Sequence, residues 1–569
     1  MNHSARRGSA AAACNGGTWK MAFFNLLRHE MGGSFYQLLV MAGLAGLSNA
    51  AVLATVNAAA QASKNGKPGA TLGVLFVASL VLFVVTGRYL LLGAVGQIEA
   101  LIHRLRLRLI GYVRQSEMLE LEEIGRPHIY AAIVEQTDAL RQATSSLAFA
   151  TQGAILIVFV ALYIAWMSFT AFALSTAVIG IASAVYFVRS RDLAGRLKAT
   201  AESNDRLFQR VTDLLDGFKE VRLNSARSAD LYEDFVEVSR TAANLRIRTQ
   251  AETFKRLLLS QTFMYVLLGA VVFVVPALST VSEGSLSKTT MAVLFVIGAC
   301  FGLVQAVPVM QTASVAADGF EKLEARLQAF AAEDAVVAEG VNSTFETIEL
   351  RDVHFHYQDK QLDKPFQIGP VDFSLRKGDL VYITGGNGSG KSTFLQVLAG
   401  LYVPDAGEIA FDGVRVGDDN RNAYRALFAA VFADYHLFDS LYGVPEPAAG
   451  EVERQLARFR LTGKTAVTDG EFDTLNLSTG QRKRIALMVS LLEQRPILLL
   501  DEWAAEQDPE SRRRFYDELL PELHRAGVTI VLVTHDDRYI GRLDQIGRGL
   551  RMQDGRFVAK TLPGGQTAA

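Results

Sequence analysis

The 569-residue chain has two cysteines, Cys14 and Cys300. Two thiols cannot form a disulfide framework, and their spacing matches no zinc or redox motif. Charge is also scarce: charged residues make up 20% of the chain, below the quarter or so of a typical soluble domain. The formal net charge is only −2, so the basic excess of a nucleic-acid binder is missing and no nucleic-acid partner is expected. Half of the residues are hydrophobic, which excludes a disordered chain. No continuous apolar run precedes Cys14, so neither a secretory nor a lipoprotein signal is expected in the first 30 residues.

What the chain has in abundance is long apolar stretches. Six lie near 35–59, 71–95, 147–166, 169–188, 258–280 and 290–312. About 20 apolar residues in a helix cross a hydrocarbon core of about 30 Å. The second stretch carries Arg88 near one end, where a long side chain can snorkel to the interface. The connections differ in charge. Residues 189–256 hold fourteen Lys and Arg and residues 96–146 hold Arg104, Arg106, Arg108, Arg114, Arg126 and Arg141, whereas 167–168 hold none and 281–289 only Lys288. The positive-inside rule places the N-terminus, both long linkers and everything after the sixth span in the cytoplasm.

Both long linkers keep helical periodicity, interrupted at Gly125-Arg126-Pro127 and at Asp216-Gly217. Each reads as two helices that extend the spans and meet at a turn. At about 34 residues per arm, the second would reach roughly 50 Å from the membrane. The expected organisation is a cytoplasmic segment 1–30, a six-span membrane domain 31–330 that includes the linkers 96–146 and 189–256, and a second, soluble domain 345–560 with a tail 561–569. The Ala- and Glu-rich stretch from Ala331 serves as the linker between the two domains.

From about 345, short strands alternate with helices: Ile348–Val353, Leu380–Thr384, Ile497–Leu500 and Thr529–Val533. This pattern predicts an α/β domain with a largely parallel sheet. After Thr384 comes Gly385-Gly386-Asn387-Gly388-Ser389-Gly390-Lys391-Ser392, followed by a helical run from Thr393. It is a complete phosphate loop in its strand–loop–helix setting. Its glycines let backbone N–H groups converge on phosphates, Lys391 brings a charge to the β- and γ-phosphates, and the Ser392 hydroxyl is placed for Mg²⁺. The run Ile497-Leu-Leu-Leu-Asp501-Glu502 ends a buried strand in two carboxylates. Asp501 would hold Mg²⁺ and Glu502 would polarise the attacking water, with His535 after the last strand reaching the γ-phosphate. The catalytic set expected is therefore Glu502, His535 and Lys391, with ATP and Mg²⁺ as ligands.

With these motifs in place, the sequence resembles the ATP-binding-cassette proteins. Leu477-Ser478-Thr479-Gly480-Gln481 is similar to their signature motif, with Thr where Gly is commonest. Tyr357 matches the aromatic residue that stacks on adenine, and Gln507-Asp508 matches the loop whose aspartate lies across the dimer interface. The resemblance implies that Ser478, Gly480, Gln481 and Asp508 join Tyr357 and the phosphate loop in binding ATP. Six spans fused to one cassette look like a half-size exporter of the type IV fold: an all-α six-helix transmembrane domain joined to an α/β P-loop nucleotide-binding domain. Ile383–Thr393, Leu477–Arg484 and Asp501–Pro509 are further similar to the bacterial cyclic-peptide exporter group. One position departs from the pattern. Where the family has a glutamine before His436-Leu437-Phe438, this chain has Ala433, with Asp434 beside it as a further oxygen donor to Mg²⁺ or water.

The resemblance implies a homodimer in the bacterial inner membrane that sandwiches two ATP molecules and exports a peptide-like cargo. Lipid or drug export is the alternative, followed by an ATP-gated channel, which an intact Glu502 and His535 disfavour. Asn49, Gln152, Gln261 and Gln305 are candidates for lining the substrate path, and Pro308 is expected to kink span six. No ionisable residue falls mid-span, which speaks against a proton relay.

Overall fold

In the computed structural model of the protein, the described residues are 22–64, 69–190, 193–278, 283–330, 344–357 and 366–558. Cys14, the linker at 331–343 and the tail at 561–569 lie outside them. The described residues fall into two compact units. One runs up to Arg114 and resumes over Ile124–Ala329, and the other combines Gln115–Glu123 with the residues from Phe330 onward.

The first unit contains six helices long and apolar enough to cross a membrane: Gly33–Ala60, Ala70–Gln115, His128–Met167, Phe169–Tyr186, Ser225–Ala277 and Ser287–Ala329. They coincide with the six apolar stretches of the sequence. Their cores are shared by Leu53, Leu156, Val160, Ile164, Leu267, Val271, Val293 and Val296. On the outside, Val74, Leu75, Val77, Val81, Val84 and Val85 are each more than half exposed. A continuous apolar surface of this kind calls for an apolar partner, which the hydrocarbon core of a membrane supplies. Helices approach closely at Gly46, where a Cβ would stand 2.8 Å from Ile155 Cγ2. Pro308 lies inside the helix Glu283–Phe330.

The second linker forms Leu193–Asp216 and Ser225–Gly269. Arg210 and Asp234 pair across the two arms at 2.9 Å. The far ends are short helices where simple turns were expected: Phe218–Leu223 in one linker, Met118–Ile124 and Arg126–Ala131 in the other. Gly125 takes φ +81° between the latter two, a conformation that strains residues with a Cβ. Two π-helical turns, Ala132–Gln136 and Ala270–Val274, carry no sequence signal. Part of the segment read as an N-terminal extension is a helix, Ala22–Met31, that buries Phe23, Leu26 and Leu27. Its Glu30 accepts from Arg108 at 2.8 Å.

Among the described residues the second unit has twelve strands. They are β1 (Thr347–His356), β2 (Gln367–Arg376), β3 (Leu380–Thr384), β4 (Ala406–Phe411), β5 (Val414–Arg415), β6 (Phe428–Val431), β7 (Val467–Thr468), β8 (Glu471–Phe472), β9 (Ile497–Asp501), β10 (Thr529–Val533), β11 (Arg548–Gln553) and β12 (Arg556–Val558). The main sheet has the order β12-β11-β3-β10-β9-β6 and is parallel except for β12. A second sheet, β2-β1-β4-β5, is antiparallel; the sequence pattern indicated only its β1 strand. Strands β9 and β10 are buried at every position. Because β3, β9 and β10 are adjacent and parallel, their C-terminal ends open on one edge of the sheet, where ligands of such folds bind.

The segment Gln115–Glu123, read from sequence as part of the membrane domain, groups with this second unit. Met118 and Leu119 pack on its core. Glu117 lies between Arg421, at 3.3 Å, and Arg425.

Candidate functional site

Strand β3 delivers the chain into the loop Gly385–Gly390, and Lys391 opens the helix Lys391–Leu398. Two glycines are required by geometry. Gly390 has φ +102°, and a Cβ on it would meet the Phe366 ring at 3.0 Å. A Cβ on Gly385 would stand 2.3 Å from the carbonyl oxygen of Met552. Gly386, Asn387 and Gly388 at the loop crest are exposed, and Ser389 is buried with no partner for its hydroxyl. Lys391 is 5% exposed. Its Nζ donates to the carbonyls of Gly386 (2.9 Å) and Gly385 (3.3 Å). Burial lowers the pKa of this ammonium, opposed by the charges of Glu502 and Asp501. Ser392 and Thr393 follow in the first turn.

Asp501, at the end of β9, is 1% exposed. It hydrogen-bonds with the Ser392 hydroxyl and accepts from the backbone N–H of Ala433, while burial pushes its pKa up. Its Oδ1 has no partner. An orphaned carboxylate oxygen beside a hydroxyl is a hard-oxygen donor pair, and it fits Mg²⁺. Among the described residues no three His, Cys, Asp or Glu side chains converge on a metal-sized site. The protein would thus supply few ligands, as is usual where phosphates and water complete the shell. Asp434 is exposed, and its charge acts on Tyr357.

Glu502 sits at φ +51°, a strained backbone for a residue with a Cβ. The surroundings hold it there. Its N–H donates to Val533 (3.1 Å) on β10, and its carbonyl accepts from Lys483 (3.3 Å). Trp503 in turn donates its indole N–H to the Lys483 carbonyl at 2.9 Å. The strained turn aims the carboxylate at His535, whose Nε2 lies 2.9 Å from Glu502 Oε1. A carboxylate, an imidazole, an ammonium and an orphaned carboxylate oxygen therefore gather at one edge of the sheet.

A family model described as "ABC transporter" matches residues 368–505, from β2 past Glu502. The ATP-binding protein SyrD of Pseudomonas syringae pv. syringae is 34% identical over 475 residues, spanning 80% of this chain and 82% of that protein. The chain belongs to the ABC transporter family. An ATP-dependent lipid A-core flippase of Vibrio vulnificus (strain CMCP6) is 32% identical over 226 residues, 37% of each chain. The solved structure of a bacterial Atm1-family ABC exporter with ATP bound superposes with a TM-score of 0.73 over 94% of this chain and 95% of that one, at 18% identity. This transporter thus has the type IV exporter fold, six membrane helices followed by an ATP-binding α/β domain. It is a multi-pass membrane protein that couples ATP hydrolysis to transport.

The signature region of the transporter is built from both sides. Ser478 caps the helix Thr479–Leu492 in a reciprocal box: its hydroxyl accepts from Gln481 N–H at 3.4 Å, and its own N–H donates to Gln481 Oε1 at 3.0 Å. Gln481, expected at the nucleotide, thus engages its carbonyl oxygen within its own chain. Gln507 is 4% exposed and donates to the Gly480 carbonyl at 3.1 Å, so the signature turn is fastened to the loop after Glu502. Asp508 caps the next helix, accepting from Ser511 N–H at 2.9 Å, and hydrogen bonds from the Ser511 hydroxyl and then this N–H hold its carboxyl below the usual range. The Tyr357 ring is half-buried, with its hydroxyl 2.7 Å from that of Tyr402.

Several of these residues carry no motif of their own. Gln507, Lys483 and Tyr402 gain their roles from distant contacts. So does Tyr516, whose hydroxyl joins Thr534 (2.7 Å) and Asp536 (3.1 Å) around His535. In the membrane unit, Asn49 and Gln152 are half-buried, Gln261 donates to the Tyr265 hydroxyl at 3.3 Å, and Gln305 is exposed. The well-buried amides are Asn57 and Gln311, and Gln311 Oε1 has no partner.

Proposed function

We propose that this transporter exports a peptide, cyclic or non-ribosomal or a siderophore precursor, across the bacterial inner membrane, acting as a homodimer by alternating access. The cargo class rests on the resemblance of Ile383–Thr393, Leu477–Arg484 and Asp501–Pro509 to the cyclic-peptide exporter group, and the reach of the similarity to SyrD supports it. An alignment covering 80% of the chain is longer than the part after residue 330 can supply, so it includes the membrane helices. The 37% match to the lipid A-core flippase is no longer than the ATP-binding part alone. Cargo is selected in the membrane helices, which favours the peptide reading over lipid.

The arginine-rich linkers put the ATP-binding domain in the cytoplasm. The phosphate loop Gly385–Ser392 binds the β- and γ-phosphates, Tyr357 stacks on adenine, and Thr393 lies against the phosphates. Ser392 and Asp501, with Asp434 further out, would hold Mg²⁺, which neutralises charge on the phosphates. Ser478, Gly480 and Gln481 of one protomer, with Asp508, close over the ATP of the other. Glu502 takes the proton of the water attacking the γ-phosphorus. His535 orients that carboxylate and contacts the γ-phosphate, and Lys391 stabilises charge on the departing oxygens. ATP closes the dimer and hydrolysis reopens it.

The decisive experiment is to delete the gene and profile the compounds retained in the cell. A peptide that accumulates, and that stimulates ATP hydrolysis by the purified protein, supports the reading; accumulation of lipid alone overturns it.

A further inference from the structure

Tyr402 is almost completely buried, at 1% exposure. It follows the helix Lys391–Leu398 and donates its backbone N–H to Gln396 on that helix at 3.3 Å. Its ring stacks on Phe355, with centroids 4.9 Å apart and planes within 2°. Phe355 precedes Tyr357 by two residues on the same stretch of chain. A hydroxyl buried this deeply is costly unless it is bonded, and this one has two partners. It donates to both carboxylate oxygens of Glu122 at 3.2 Å, and it meets the Tyr357 hydroxyl at 2.7 Å.

The direction of this chain follows from counting protons. A phenol has one proton and a carboxylate only accepts. The proton of Tyr402 is committed to Glu122, so the proton between the tyrosines is that of Tyr357. Burial keeps Tyr402 protonated by raising its pKa. The path runs Tyr357 to Tyr402 to Glu122. Glu122 belongs to the short helix Met118–Ile124, which directly follows the membrane-length helix Ala70–Gln115 in the chain. Beside it, Glu117 is gripped by Arg421 and Arg425.

We propose that Tyr402 is a positioning residue that transmits occupancy of the adenine subsite, through the Tyr357 hydroxyl, to Glu122 and its short helix. The proposal rests on Tyr357 being the adenine platform. A base stacked on the Tyr357 ring fixes the ring plane and with it the direction of the hydroxyl. Hydrogen bonds weaken steeply with misalignment, so a small ring rotation changes how firmly Tyr402 holds Glu122. The path bypasses position 433, where this chain has alanine and no amide.

The test uses the full-length transporter in lipid nanodiscs, carrying Glu502→Gln to retain ATP. Hydrogen exchange is followed in peptides covering 115–124, with ATP or with inorganic tripolyphosphate, which fills the phosphate loop without a base. ATP is expected to slow exchange about fivefold, the equilibrium value of one net hydrogen bond, and tripolyphosphate to leave it unchanged. Tyr402→Phe and Glu122→Ala should abolish the response to ATP while its Kd rises by no more than about fivefold, the limit that reciprocal coupling sets. Glu122→Gln, whose amide oxygen still accepts, should restore part of the response. If Tyr402→Phe responds like its parent, or if tripolyphosphate gives the full effect, the relay is overturned and the ATP site stands. If the parent binds no ATP, the site assignment falls and the relay with it.

Discussion

His535 Nε2 stands 2.9 Å from Glu502 Oε1, and Glu502 reaches it from a left-handed backbone at φ +51°. A strained residue held by bonds on its N–H and its carbonyl is positioned for a task. Glu502→Gln keeps the shape and removes the base. It should bind ATP, dimerise more strongly and hydrolyse about 10²-fold more slowly or worse, the scale of a lost general base. Phosphate release and size-exclusion with ATP would check this; unchanged turnover would remove Glu502 from that role.

Asp501 carries a buried charge whose pKa is raised chiefly by burial. A carboxyl of this kind stabilises the fold fully when protonated, below its unfolded pKa, and that contribution is lost as pH rises through the raised native pKa. Asp501→Asn should therefore raise the melting temperature at neutral pH without nucleotide, by roughly 2–4 °C for each kcal/mol recovered. The gap to the parent should close as pH falls, and ATP hydrolysis should be lost. A variant that melts lower than its parent at neutral pH would contradict the stated cause.

Gln507 holds the Gly480 carbonyl at 3.1 Å, and a Cβ on Gly480 would stand 3.0 Å from the Glu506 carbonyl. Gln507→Ala should cost about 1 kcal/mol of stability through the unpaired carbonyl. Its ATP affinity at low protein concentration should match the parent, with hydrolysis reduced at concentrations that favour dimers. Gly480→Ala should have the same signature more severely. Weakened ATP binding by the monomer would show that the signature turn acts within one chain.

Glu117 pairs with Arg421 and Arg425, and all three side chains are largely buried. Removing one partner leaves charge unpaired where water is scarce. Glu117→Ala should leave ATP hydrolysis in place and lower cargo movement per ATP. The swap Glu117→Arg with Arg421→Glu and Arg425→Glu should recover part of it. Transport assays in sealed vesicles decide; full transport by Glu117→Ala would show that the grip is dispensable.

Much of this protein was legible from sequence because its signals are local. A span is 20 consecutive apolar residues, and the phosphate loop is eight consecutive positions with glycine where a Cβ would collide, as at Gly385 and Gly390. Asp501-Glu502 needs only a buried strand before it. Gln481 shows what a motif leaves out: its side-chain carbonyl oxygen also closes a capping box with Ser478. The antiparallel sheet around β1 was missed because β4 and β5 are short and Gly369-Pro370 interrupts the alternation of β2.

The sequence by itself determined the six spans, the arginine-rich linkers, the α/β domain and the phosphate-loop motif. These follow from composition and spacing along the chain, where hydrophobicity and steric limits act residue by residue. Only the tertiary structure decided that Gln507 fastens the signature turn and that Gln115–Glu123 belongs with the ATP-binding unit. It alone placed Tyr402, 280 positions after Glu122, between that carboxylate and Tyr357. A hydrogen bond depends on distance in space, and no pattern along the chain records which buried hydroxyl meets which carboxylate.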